Sequence, residues 1–115
     1  MKTVRIGLAS RAEISTRFKA AFRGERQGSH ISFASLEEMH RILTPNRWHM
    51  LEVMMAARGP TGIRELARKL DRDVKSVHTD VRTLLNAGVI DHSAEGGKIE
   101  FPYDAVHVDF TVKAS

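Results

Sequence analysis

IRELARKLDRDVKSVHTDVRTLL, residues 63–85, is the stretch on which the fold turns. Ile63, Leu66, Ala67 and Leu70 recur at i, i+3, i+4 and i+7, which puts one apolar stripe on a two-turn helix. Val74, Val77, Val81, Leu84 and Leu85 make a second stripe of the same kind. Between them stands Asp71-Arg72-Asp73, a connection of three residues in which Asp73 can cap the helix that follows. Gly88 is placed to end that helix in a left-handed conformation. Two short helices joined so tightly are expected to cross steeply, as in a helix-turn-helix.

The flanks extend the pattern in both directions. Upstream, Thr44-Pro45 reads as a cap followed by a first-turn proline, starting a helix that is apolar around most of its circumference through Trp48, Met50, Leu51, Val53, Met54 and Met55. Gly59-Pro60-Thr61-Gly62 breaks it. Downstream of Gly88 the period changes from helical to two. Val89-Ile90 and Ile99-Phe101-Tyr103 flank a polar turn at Ser93–Lys98, as a hairpin requires, and Val106, Val108, Phe110 and Val112 alternate as a last, half-buried strand that is an edge or a partner of the N-terminal strand. Before residue 44, Val4, Ile6 and Leu8 alternate as a strand, and Ser10 with Glu13 opens a helix carrying Ile14, Phe18, Ala21 and Phe22. Ile31 and Phe33 form a short strand, and Ser35 with Glu38 caps a short helix. The expected class is α+β, with residues 1–34 a strand-helix-strand segment and residues 35–115 a winged helix-turn-helix with a C-terminal strand.

In such modules the helix after the turn enters the DNA major groove. At about 100° per residue, turning the valine-leucine stripe inward points Thr79 almost directly outward. Lys75, Ser76, Arg82 and Thr83 flank it and His78 lies at the boundary, with Asp80 the one carboxylate at the margin. Hydroxyls and cations suit base edges and phosphates. Arg72 in the turn and Lys98 in the hairpin complete the expected DNA-binding set. The hairpin turn is weakly basic and contains Glu95, so at most a phosphate contact is expected of it.

Charge is uneven along the chain. The whole chain carries +4, but residues 1–26 hold seven basic and two acidic side chains, residues 61–88 a net +2 and residues 89–115 a net −3. A modest positive balance is compatible with a polyanionic partner. Absence of cysteine removes disulfides and thiolate chemistry. The six histidines offer no i, i+4 pair, so no metal site is expected. Gly96-Gly97-Lys98 lacks the rest of a phosphate loop, no nucleophile elbow occurs, and Glu37-Glu38 diverge on a helix; no enzyme activity and no cofactor are expected. No apolar run approaches the ~20 residues of a membrane span and no export signal is visible, so a soluble, cytoplasmic protein is expected.

The stretches Ile31-Ser-Phe, Leu43-Thr-Pro-Asn-Arg47, Ile63–Leu70, Lys75–Arg82 and Phe101-Pro-Tyr-Asp104 together resemble the small MarR-like winged-helix regulators of bacteria and archaea, over about residues 31–110. Within these the chain is most similar to the DNA-binding and antitoxin subgroup of toxin–antitoxin pairs. The resemblance implies dimeric binding to an operator on double-stranded DNA and neutralisation of a partner toxin. The leading expectation is therefore a sequence-specific transcriptional regulator, a homodimer on a palindromic site. The alternative is a protein-interaction module or antitoxin that blocks a toxin and regulates its own operon. Val4, Ile6, Leu8, Phe18 and Phe22 are the residues expected at a dimer or partner interface, with the C-terminal strand as the alternative dimer element.

Overall fold

A computed structural model describes residues 1–9 and 29–114. The expected first helix, with Phe18 and Phe22, lies outside the described residues. The rest is a mixed α+β arrangement. Its strands are β1 (Thr3–Leu8), β2 (His30–Phe33), β3 (Thr61–Gly62), β4 (Asp91–His92), β5 (Lys98–Glu100) and β6 (Ala105–Asp109). Its helices are α1 (Leu36–Ile42), α2 (Pro45–Ala57), α3 (Ile63–Leu70) and α4 (Val74–Asn86).

The helix boundaries follow from local chemistry. Ser35 Oγ accepts from the Glu38 N–H at 3.1 Å, and Thr44 Oγ1 accepts from the Arg47 N–H at 3.4 Å with Pro45 beginning α2. The Asp73 carboxylate accepts from the backbone N–H groups of both Lys75 and Ser76, filling two of the donor positions that the first turn of α4 leaves open. The α3–α4 turn is closed by Asp71 in the left-handed region, φ 52°, and by the Arg72 N–H donating to the Ala67 carbonyl. Gly88, φ 76°, ends α4 as its sequence position predicts.

Two three-stranded sheets flank the helices. In the first, ordered β2-β1-β6, both pairings are parallel: Ile6 lies opposite Ile31 on one side and Val108 on the other. The last strand is thus an edge strand and a partner of the first. Gly7 permits its approach, because a β-carbon there would stand 2.5 Å from the Asp109 carbonyl oxygen. Lys2 and Asp104 tie the two strand starts together. The Lys2 N–H donates to the Asp104 carboxylate at 2.7 Å and the Asp104 N–H donates to the Lys2 carbonyl at 2.7 Å. The second sheet, β3-β5-β4, contains the expected hairpin, with the Ser93 N–H donating to the Lys98 carbonyl across the turn. Its third strand, Thr61–Gly62, was not visible as a strand in the sequence, since two residues carry no period.

One apolar cluster runs from the first sheet through the helices to the hairpin. Val4, Ile6, Phe33, Met50, Leu51, Leu66, Val77, Val81, Leu84 and Ile99 all belong to it. Burial of side chains of this size contributes ~1.5–3 kcal/mol each, which fixes α3 and α4 against α2. The cluster corrects two expectations. Val4 and Ile6 are 0% exposed within the chain's own core, so they have no surface to offer an interface; Leu8 is half-buried against the same core. Val74, expected in the buried stripe of α4, is 41% exposed, because the first residue of the helix overhangs the core that Val77 and Val81 fill.

Candidate nucleic-acid interface

The outward side of α4 is built as a ladder of short polar groups. Lys75, His78, Thr79 and Arg82 are exposed, and Thr83 is half-buried. Thr79 Oγ1 donates to the Lys75 carbonyl at 3.1 Å, and Thr83 Oγ1 donates to the Thr79 carbonyl at 3.2 Å. With their protons held by the helix backbone, these hydroxyls present acceptor lone pairs and methyl groups outward. Val74 adds an exposed apolar group at the start of the same helix.

Arg72 stands apart from this face. Its Nη2 donates to the Asp80 carboxylate at 2.7 Å and to Ser76 Oγ at 2.7 Å, and its Nη1 is buried with no hydrogen-bond partner among the described residues. Expected as a DNA contact, Arg72 is instead turned onto Asp80, and Ser76 is occupied by it. Arg47 of α2 holds the other carboxylate oxygen: its Nε donates to Asp80 Oδ1 at 3.1 Å. Nη1 of Arg47 donates to the carbonyl oxygens of Arg41 and Ile42, at 3.1 and 3.0 Å, filling acceptors left open at the end of α1. Asp80, only 14% exposed, thus joins α4 to the α1–α2 junction and to the α3–α4 turn. Two cations surround one carboxylate, so the acidic group at the margin of α4 projects no net negative charge. Asp73 is likewise engaged as a cap.

Between α4 and the β4–β5 hairpin lies a groove of about 370 Å³, lined among others by His78, Arg82 and Asn86 of α4 and by His92, Gly97 and Lys98 of the hairpin. Lys98 is half-buried and pairs with Glu95 at 3.1 Å, so the hairpin keeps little free charge. The structure therefore brings His78, Arg82 and Lys98 of the expected set to one groove, leaves Lys75 and Thr79 on the open face beside it, and removes Arg72. Arg47 and His92 were missed, and Asp80 was seen only as a marginal carboxylate. Arg47 lies 33 residues from Asp80, and His92 reaches the groove from the hairpin, so only packing assembles these groups; the one sequence signal was the position of Asp80 at the margin of the helix face.

Among the described residues no group of three histidine or acidic side chains is placed to hold a metal ion, and no helix is long and apolar enough to cross a membrane. No curated protein and no solved structure matches the chain. Residues 42–108, which take in α2 to α4, the second sheet and most of β6, match the family model HVO_A0114. That match spans more than half of the sequence, and the chain belongs to the HVO_A0114 family.

Proposed function

We propose that the chain is a winged helix-turn-helix regulator that binds double-stranded DNA sequence-specifically as a dimer in the cytoplasm, with α4 in the major groove and the β4–β5 hairpin as a short wing. The observation that carries this reading is the chemistry of α4: its outward side holds Lys75, Thr79 and Arg82, while its two carboxylates are consumed by capping and by Arg47 and Arg72. Cations at the two ends of the face suit phosphates, threonine oxygens suit base amino groups, and Val74 suits a thymine methyl. A phosphate strand passing between helix and wing would run along the groove beside Arg82. The resemblance to MarR-like regulators read from the sequence over about residues 31–110 points to the same assignment.

The test is fluorescence anisotropy of the protein on DNA from upstream of its own gene and on random DNA, over a range of salt. Arg82→Ala and Lys75→Ala are each expected to lower the slope of log affinity against log salt by about one unit. Thr79→Ala is expected to lose ~1–3 kcal/mol of discrimination while keeping nonspecific binding. Equal affinity of the unaltered protein for both DNAs refutes sequence-specific reading, and no binding at low salt refutes DNA binding altogether.

A further inference from the structure

The sheet β2-β1-β6 ends in β6, which pairs with β1 on one edge and whose outer side is paired with no strand among the described residues. Such an edge is a template for another strand, and proteins usually blunt it with proline, a bulge or a flanking element. Residues 105–112, Ala-Val-His-Val-Asp-Phe-Thr-Val, contain no proline or glycine. Their apolar alternation also outruns its cover. Pairing with β1 ends at Asp109, yet Val106, Val108, Phe110 and Val112 continue the pattern, and the last three are 41%, 39% and 72% exposed. Three of the five large hydrophobics exposed among the described residues lie on this one segment.

We propose that β6 is a homodimerisation edge: it pairs antiparallel with β6 of a second copy about a two-fold axis at Val108, joining two three-stranded sheets into one of six. A two-fold axis is required because a strand edge meets itself only in the antiparallel sense. The register follows from parity and charge. An axis at Val108 sets Val108 against its own copy and Val106 against Phe110 of the partner subunit, so one apolar face runs unbroken across the junction. It also sets His107 against Asp109 of the partner subunit, twice. Moving the axis to Asp109 would oppose two carboxylates, and moving it to His107 would oppose two imidazoles and set Asp104 against an apolar ring. Within one chain His107 Nε2 and Asp109 Oδ2 are 3.9 Å apart, too far for a hydrogen bond, and their side chains are 53% and 65% exposed. Both are left able to pair across the edge. A second copy, with this self-complementary pattern, is the occupant that the strand fits.

Sedimentation equilibrium of the full chain without DNA tests the proposal. The protein is expected to be dimeric at micromolar concentration, and Val108→Arg is expected to raise the dissociation constant about thirtyfold or more, with the helical circular dichroism unchanged. Because Val108 also touches the sheet, a second set of variants uses exposed positions only. Asp109→Lys is expected to weaken the dimer, and the exchange His107→Asp with Asp109→Lys is expected to restore it. A monomeric protein at the highest concentration overturns the proposal, as does a dimer indifferent to both Val108→Arg and the charge exchange. The edge stands independently of DNA reading: a dimer that binds no DNA keeps the first and refutes the second.

Discussion

Replacing Asp80 by asparagine isolates the ion triad that holds α4. The substitution keeps the shape of the side chain and removes its charge, leaving Arg47 and Arg72, whose side chains are 17% and 23% exposed, facing each other without a carboxylate between them. At an effective dielectric of about 20, each contact of this length is worth about 4 kcal/mol or somewhat more before desolvation. Removing one member of a buried pair costs ~3–5 kcal/mol; partial exposure and the acceptor that asparagine retains offset part of this, leaving a net loss of ~2–3 kcal/mol. For a chain of this size that lowers the melting temperature by about 8–12 °C. Thermal and urea unfolding followed by circular dichroism measure it, with an unchanged urea dependence of the unfolding free energy showing that the native and unfolded states are otherwise the same. An Asp80→Asn protein that melts within about 2 °C of the parent would refute the assignment of Asp80 as the group that fastens α4 to α2.

Two further substitutions probe the first sheet. Gly7→Ala puts a β-carbon against the Asp109 carbonyl, so β6 must move from β1; a loss of ~1–3 kcal/mol in urea unfolding is expected, and unchanged stability would mean that the strand approach is looser than described. The Asp104 carboxyl is held below the usual carboxylate range chiefly by the Lys2 backbone N–H, with Arg58 adding to it, against an opposing partial desolvation. Because its pKa falls on folding, its contribution is fully present above the ordinary carboxylate value and lost as pH drops through the lower folded value. Asp104→Asn should therefore be less stable than the parent near neutral pH and converge with it in strong acid; a difference independent of pH would assign the role of Asp104 to shape alone.

The elements that were legible in the sequence are those whose signal is local. The stripe Leu66, Ala67, Leu70 and the cap at Asp73 depend on neighbours within a turn, and the structure reproduces them. The strand at residues 3–8 was readable from alternation, which left the last strand as an edge or a partner of the first; the structure makes it both. What alternation does not encode is who supplies the cover. Val4 and Ile6 were expected to face another chain and instead are buried in the chain's own core, while Val108, Phe110 and Val112 follow the same pattern and are exposed. The candidate site divides in the same way. Exposure of Lys75, Thr79 and Arg82 follows from helix geometry, whereas the diversion of Arg72 to Asp80 depends on Arg47, 33 residues from Asp80 and in a different helix.

The placement of the first strand at the centre of its sheet orders events in time. β1 is synthesised first, yet one of its two neighbours is β6, whose tie to it through Lys2 and Asp104 spans 102 residues. Closing so long a loop is entropically costly and only a few bonds reward it, whereas α3 and α4 gain contacts across a three-residue turn. The helices are therefore expected to collapse while Val4 and Ile6 still have one flank open, and the sheet to close only when the last strand leaves the ribosome. During that interval the nascent chain carries a hydrophobic strand in search of a parallel partner, which makes the newly made protein more exposed to aggregation than the finished one.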